Sequence, residues 1–369
     1  MGIKKFETRN YLGEKLGRRG LVFDEKDMKK ALIEHNYFHL FSGIESLLLE
    51  SYEPKRYEDV KLRDFFNIYN FDKEMTSIVL GHLNYIEERL KASISYHFCK
   101  RYCYNVNNTM QYTNKNNFMN PANGDKNSNT YCPYHDNYPF VNAQNKAIYH
   151  GFSKFILTAP FFLSNLIDNN DNIDIRYYRD EKYNPPDGVA VYRSKNQIYD
   201  RNVAVPFWVA IETLTFGELL RVMHYLKNDV MEDVMRDFRL KLSKREVFLN
   251  MMDFFLCLRN SCAHNSLVSN FSTSSKYRIN SLLVATFKLN PRNAGHQYSV
   301  LRLYDVVKML SYFVDVSDLK EPIKNIKVAN IASMGTIKGE KINGRLFERM
   351  GCEDYAKWDE LTDGVEYVL

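Results

Sequence analysis

Three polar residues that could cleave a phosphodiester stand close together in the chain: Arg259, Asn260 and His264. A histidine exchanges protons near neutral pH, and an arginine can hold the negative charge that develops on a phosphorus centre. RNA carries its own nucleophile, the 2′-hydroxyl, so such a site needs no metal ion or other cofactor. Asn260 could orient His264 or a phosphate oxygen. The same three side chains could instead form a structural network that closes a helix end.

The segment 246–258 before these residues is apolar almost all round and contains no Gly or Pro, which predicts an interior helix of an all-α domain. It is too short, and too interrupted by Asn250 and Asp253, to span a bilayer. On an ideal helix Asn260 and His264 share a face, whereas the directions of Arg259 and His264 differ by roughly 140°. Either the arginine reaches around, or the helix ends there, or a second copy completes the site. We favour two copies facing each other across a two-fold axis.

Several segments, in order, resemble a known family. Arg259 and His264 match the arginine–x4–histidine motif of HEPN domains, and the string 259–265 is typical of bacterial abortive-infection (Abi, AbiD/AbiF-like) proteins. Segments 205–217 and 35–43 resemble two further stretches of that family, and 71–73 and 85–92 also follow its pattern. His39 and Ile44 depart from it, since Arg and Tyr are common there. The resemblance covers nearly the whole chain.

This resemblance implies an all-helical fold with a HEPN-like core, a role in antiphage defence, and a homodimer that binds RNA. It also implies metal-independent endoribonuclease activity that leaves a 2′,3′-cyclic phosphate and, in some relatives, a toxin controlled by a small non-coding RNA. Arg259 would be the phosphate-stabilising cation, His264 the acid or base, and Asn260 the polar residue that follows the motif arginine. The alternative is a non-catalytic module that binds RNA or protein, in which the motif is structural.

Composition sets broad limits on the protein. The 369 residues are 45% hydrophobic, enough for a substantial core, and a formal net charge of +5 permits nucleic-acid binding without arguing strongly for it. The six cysteines form no compact secreted framework, which indicates a reducing compartment. Because the chain begins without an apolar signal region and contains no stretch of transmembrane length, we expect a cytoplasmic protein without a membrane partner.

The pattern of helices and loops predicts four regions. These are N-terminal helices in 1–103, an irregular Asn- and Tyr-rich insertion in 104–146, the HEPN-like core in 147–322, and a C-terminal tail in 323–369. Helices are predicted at 24–33, 62–69, 71–101, 147–168, 205–227, 231–240, 300–314 and, as a docking helix in the tail, 345–358. In the helix 205–227, Glu212 could pair with Arg259 or order His264. Asn265 is a second candidate for such a supporting role.

Two further sets of residues are candidates for binding. Basic residues that could contact RNA lie in an N-terminal arm and in a polar stretch before residue 202: Lys4, Lys5, Arg18, Arg19, Arg176 and Arg179. A disordered arm and a solvated hairpin are the plainer interpretations. Cys99, Cys103, Cys132 and His135 could form a zinc clip around the insertion, although irregular spacing favours free, partly buried thiols.

Overall fold

Helices dominate the structure, which is a computed structural model and confirms the all-α prediction. It describes residues 5–126, 128, 131–136, 184, 186, 192–193, 202–203, 206–293, 295 and 299–369. The helices are α1 (Arg9–Arg18), α2 (Glu25–Glu34), α3 (Glu45–Leu48), α4 (Leu62–Tyr102), α5 (Phe207–Ala210), α6 (Phe216–Tyr225), α7 (Asn228–Asp237), α8 (Arg245–Ala263), α9 (Ser281–Phe287), α10 (Leu303–Leu310), α11 (Lys320–Met334), α12 (Thr336–Met350) and α13 (Tyr355–Thr362). The predicted helix 147–168 lies outside the described residues.

In the part of the chain that the structure describes, each strand has two residues and pairs with one other strand. The first, β1 (Leu21–Val22), pairs in parallel with β4 (Val60–Lys61), and β2 (Ser51–Tyr52) pairs antiparallel with β3 (Lys55–Arg56). A further antiparallel pair joins β5 (Tyr192–Arg193) to β6 (Asn202–Val203).

The chain divides into two compact units. The first unit comprises Met1–Asn84 and Asp253–Leu369, and the second comprises Tyr85–Met252. In the first, aromatic side chains including Phe41, Phe65, Phe254 and Trp358 are almost completely buried. In the second, Phe98 stacks on Phe118, with 5.1 Å between ring centroids. The predicted division at 103, 146 and 322 stays a prediction, because much of 127–205 is not described.

Helix α4 is one helix where the sequence predicted two. Its 41 residues run through Asn70, which was expected to separate 62–69 from 71–101. An asparagine costs an interior helix turn only about 0.7 kcal/mol, and no Gly or Pro stands beside it. The buried face continues across this point through Ile68, Phe71 and Met75, so packing maintains the helix.

The predicted helix 205–227 is broken, which corrects the single helix expected there. After α5, a 3-10 turn at Ile211–Thr213 leads to Thr215, the N-cap of α6. The Glu218 carboxylate accepts the Thr215 backbone N–H at 2.8 Å, and the Thr215 hydroxyl accepts the Glu218 N–H. This reciprocal capping box begins a new helix at Phe216.

The C-terminal residues form three helices, where the sequence predicted a tail with one docking helix at 345–358. The predicted helix is interrupted at Gly351, whose φ of 112° ends α12. Ile326, Ile342 and Trp358 are buried, and the Trp358 indole N–H donates to the Cys352 carbonyl at 3.0 Å. This region is therefore part of the folded first unit.

In the described part of the chain, no helix combines the length and the apolar character needed to cross a bilayer. Residues 9–18, which include the basic residue Arg18, form α1 and are therefore not part of a disordered arm. Thr8 caps this helix by accepting the Tyr11 backbone N–H.

Candidate functional site

The motif lies in the last turn of α8 and in the residues that end it. Asn265 adopts a φ of 55°, in the left-handed region that follows many helices. Its N–H donates to the Cys262 carbonyl, and the Ser266 N–H donates to the Ser261 carbonyl, both at 3.1 Å. These two bonds form a Schellman motif, in which asparagine is the usual substitute for glycine. Asn265 therefore terminates the helix, a role that its place in the sequence string did not suggest.

His264, Asn260 and Arg259 do not occupy the same surroundings. Asn260 and His264 are exposed, one helix turn apart, and the His264 N–H donates to the Asn260 carbonyl at 3.0 Å. Arg259 is half-buried. Asn260 and His264 both line a cavity of about 640 Å³, and Arg259 is not part of its described lining. A single chain therefore brings together the asparagine and the histidine but not the arginine, as ideal helix geometry predicts.

The described residues that line this cavity, called the motif cleft below, all belong to the first unit. Its volume is within the range of small-ligand sites. It is lined by Phe38, His39, Ser42, Gly43, Ser46, Cys257, Asn260, Ser261, His264, Ser266, Leu267, Asn270, Phe271, Ser272 and Arg349. This described lining includes two histidines, one arginine and five serines, and no carboxylate. Such a surface favours an anionic ligand, because hydrogen-bond donors and cations line it without a competing negative charge.

One wall of the cleft is the loop after α8, which Asp72 of α4 holds in place. Its carboxylate is 1% exposed and accepts the backbone N–H groups of Val268 at 3.0 Å and Ser269 at 2.8 Å. Burial raises the pKa of Asp72, and the hydrogen bonds from Ser269 and Val268 oppose that rise. The next residue, Lys73, donates to the Asn265 side-chain oxygen at 3.4 Å. Two neighbouring residues of α4 thus fix the backbone that follows His264.

The opposite wall is a π-helical turn, Phe38–Ser42, which ends at Gly43. The Gly43 N–H donates to the Phe38 carbonyl at 2.8 Å. A Cβ at position 43 would lie 2.4 Å from Leu267 Cδ1, so glycine permits the two walls to pack closely. Arg349 of α12 donates to the Gly43 carbonyl at 2.9 Å and to the Ser46 hydroxyl. Burial lowers the pKa of Arg349, although an arginine remains charged in proteins.

Glu212 lies in the second unit, where its carboxylate is 3.9 Å from the Lys91 amine. The Lys91 amine also lies 3.1 Å from Glu87. The Glu212 side chain is about half exposed. Its supporting role toward Arg259 or His264 stays a prediction.

The predicted RNA contacts are partly described. Arg18 lies over the Tyr11 ring at 5.2 Å, and Arg19 forms an ion pair of 3.1 Å with Glu45. Lys5 is exposed at the start of the described chain. Lys4, Arg176 and Arg179 lie outside the described residues. Arg19 is already paired within its own unit, and RNA contact by these basic residues stays a prediction.

The cysteines named for a zinc clip have other neighbours. Cys99 hydrogen-bonds with Cys103, which lowers the pKa of Cys99. The Cys132 thiol lies 3.3 Å from His224 Nδ1, and His135 lies 2.8 Å from Asp136. Within the described ranges, no group of three or more His, Cys, Asp or Glu side chains could hold a metal ion.

Three residues around the cleft were not identified from the sequence as parts of a site: Phe38, Asp72 and Arg349. Phe38 is 68% exposed, while Phe41 is 1% exposed, and nothing in the sequence distinguishes the two. Asp72 had one local signal, because it is a carboxylate between apolar positions of a helix. Arg349 had none, since its partner Gly43 is 306 residues earlier in the chain.

Comparison with known proteins gives one match. A family model described as Abi-like protein matches residues 30–270, which is more than half of the chain. No curated protein and no solved structure gave a match. The matched range includes the π turn, α4 and the motif at the end of α8.

Proposed function

Because this chain belongs to the family of Abi-like proteins, which indicates a role in abortive infection, we propose that it is an endoribonuclease acting through His264 and Arg259. The observation that carries the proposal is the motif cleft, in which His264 and Asn260 lie on a wall whose described lining contains no carboxylate. The roles of His264 and Arg259 follow from their residue types and from the resemblance to the arginine–x4–histidine motif.

In the proposed reaction, the 2′-oxygen of a ribose attacks the adjacent phosphorus after losing its proton to a base. The bond from phosphorus to the 5′-oxygen breaks, and that oxygen receives a proton. The products are a 2′,3′-cyclic phosphate and a 5′-hydroxyl end, so no water or metal ion enters this step. His264 transfers a proton, and Arg259 stabilises the charge on the phosphoryl oxygens. Arg259 comes from a second copy of the chain, since in one chain it does not line the cleft.

Regulation by a bound small non-coding RNA, as in a toxin, is part of the same proposal. It would keep the cleft occupied until infection. RNA that stays with the purified protein and leaves only under denaturing conditions is the expected sign of such an inhibitor.

One observation favours the alternative, a non-catalytic RNA- or protein-binding module. Asn265 has a structural role as a helix cap, and Asp72 fixes the loop beside it. If the whole string 259–265 served the fold in this way, Arg259 and His264 would hold the helix end together. Their replacement would then lower stability rather than activity.

The test compares wild type, His264→Ala and Arg259→Ala on total RNA in excess chelator. We expect wild type to leave cyclic-phosphate ends, and each variant to cleave at least about 100-fold more slowly, because general acid–base catalysis contributes about 10²–10⁴ and a group that stabilises the developing charge about 10²–10³. The exposed His264 should be replaceable with less than about 0.5 kcal/mol change in unfolding free energy.

The control is His82→Ala, which removes a histidine that pairs with Asp318 and not with the cleft. This variant should cleave like wild type. Full cleavage by His264→Ala would end the proposed mechanism, and a large loss of stability with no wild-type activity would support the binding module.

A further inference from the structure

The charge of the motif cleft points to a phosphate as part of its ligand. His39 of the π turn and Arg349 of α12 line it, and His264 lines it from the end of α8. The carboxylates of Glu45 on α3 and Asp72 on α4 already have partners. Glu45 pairs with Arg19 and Lys55, and Asp72 accepts two backbone N–H groups. A negatively charged ligand would therefore meet donors on both walls.

Phe38 supplies a second, different kind of surface in the same cleft. It lines the cavity with its side chain 68% exposed, although large apolar side chains usually lie inside. Phe38 lies in a hydrogen-bonded turn, because the Gly43 N–H donates to the Phe38 carbonyl. The ring centroids of Phe38 and His39 are 5.9 Å apart. Proteins commonly bind unpaired bases by stacking them on exposed aromatic rings that lie beside basic side chains.

We infer that the motif cleft binds single-stranded RNA, with an unpaired base stacked on Phe38 and the neighbouring phosphate held by His39 and Arg349. The inference rests on the proposed function and adds to it the structural class of the RNA and the residues that select it. A base within a duplex is stacked on its neighbours and has no free face for Phe38, so single strands are preferred.

Arg349 has two roles in this inference. Two of its donors already hold the Gly43 carbonyl and the Ser46 hydroxyl, which fixes the turn that carries Phe38 and His39. Arg349 also lines the cleft. Because replacing it would disturb the turn itself, Arg349 is unsuitable for the first test. Phe38 and His39 are better targets, since neither side chain is buried.

The experiment measures the Kd of a fluorescent 2′-O-methyl oligonucleotide, which lacks the nucleophile, as a single strand and as a duplex. We expect Phe38→Ala to bind the single strand roughly 5- to 100-fold more weakly, as for the loss of one base–aromatic stack. His39→Glu, which places a negative charge against the phosphate, should weaken binding at least about tenfold, and His39→Arg should keep it.

Two matched controls separate these effects from general ones. Tyr96→Ala removes a ring that is 62% exposed on α4, and Lys29→Glu reverses an exposed charge on α2. Both should bind like wild type. Thermal unfolding of Phe38→Ala and His39→Arg should match wild type, which shows that the turn is intact.

The outcomes distinguish this inference from the proposed function. If wild type binds single strands and Phe38→Ala and His39→Glu bind them equally well, the inference is overturned and the ribonuclease proposal stands. Equal affinity for duplex and single strand would also overturn it. If wild type neither binds the oligonucleotide nor cleaves natural RNA, both fall.

Discussion

Individual side chains around the motif cleft fall into two groups: those that face the cavity and those that hold its walls. His264 and Asn260 are exposed to solvent, whereas the Asp72 carboxylate accepts hydrogen bonds from the loop, from the backbone N–H groups of Val268 and Ser269 and from the Ser269 side chain. An unpaired buried carboxylate would be costly, so the bonds from Val268 and Ser269 offset its desolvation. Replacing His264 or Asn260 should therefore change the free energy of unfolding little, whereas replacing Asp72 should destabilise the fold.

Cys257 gives a chemical probe of the cleft. The pKa of Cys257 is raised to about 11, chiefly by burial; a hydrogen bond with the Ser274 backbone opposes this rise, and the negative charge of Asp253 adds to it. At pH 8 the native thiol should react with iodoacetamide about two orders of magnitude more slowly than a free thiol, and the rate should rise about tenfold per pH unit. Peptide mass spectrometry after timed alkylation measures this rate.

Two comparisons check the probe. Denatured protein should react at the free-thiol rate, and uncleavable RNA should slow the native reaction because Cys257 lines the cleft. The raised pKa of Cys257 also stabilises the folded state at pH values below the pKa of the unfolded thiol, near 8.5. This contribution to the free energy of unfolding is lost as the pH rises toward about 11. Native alkylation at pH 8 as fast as in urea would contradict the raised pKa of this partly buried thiol.

At the scale of helices, the sequence predicted those features that depend on residues close together in the chain. A helix was predicted to begin at residue 24, and the Asp24 carboxylate caps α2 by accepting the Lys26 and Asp27 N–H groups. The apolar run predicted α8, and periodicity separated Arg259 from His264. The break before Phe216 was missed, because a continuous apolar pattern concealed the capping box. The single helix α4 was missed because burial on both sides of Asn70 outweighs its helix propensity.

The candidate site was predictable only in part for a related reason. Its motif is contiguous in sequence, but its other wall comes from the π turn, and Arg349 comes from α12. Contacts between residues that are about 300 positions apart leave no periodic trace in one sequence. Phe38 and Phe41 have the same type and lie three residues apart, yet only the fold decides which one is buried.

The helix end at Asn265 can be tested by two substitutions that differ in one property. Both Asn265→Gly and Asn265→Ala lose the contact with Lys73, but only alanine is penalised at a φ of 55°. We expect the alanine variant to be less stable than the glycine variant by about 1–2 kcal/mol in urea unfolding. The glycine variant should keep the position of His264 and therefore RNA cleavage. Equal stability of the two variants would show that the left-handed cap is not formed.

For the whole molecule, the first unit depends on residues well past the range that the family model matches. That range ends at residue 270, while Arg349 lines the cleft and Trp358 is fully buried against Tyr304, with 4.7 Å between ring centroids. Residues near the start of the chain and residues near position 350 therefore build the same wall. Removing the C-terminal helices would expose this core and release the π turn, so activity is best studied in the full chain.

The proposed assembly leads to a test that single variants cannot supply. If each site combines His264 of one copy with Arg259 of its partner, a dimer of one His264→Ala chain and one Arg259→Ala chain has one intact site and one site lacking both groups. Co-expression with two different tags and tandem purification isolates such mixed dimers. We expect them to cleave RNA at about half the wild-type rate per dimer, although each parent variant is inactive.

The matched control pairs His264→Ala with a chain that carries both substitutions, because that mixed dimer has no intact site and should stay inactive. Activity in the first pair and not in the second can arise only if the two groups act across the dimer. Inactive mixed dimers of the first pair would place Arg259 and His264 in the same chain's site, and the arginine would then have to reach the cleft by a local rearrangement of the last turn of α8. If no mixed dimers form at all, the two-copy site is excluded, and Arg349, which already lines the cleft, becomes the cation to replace next.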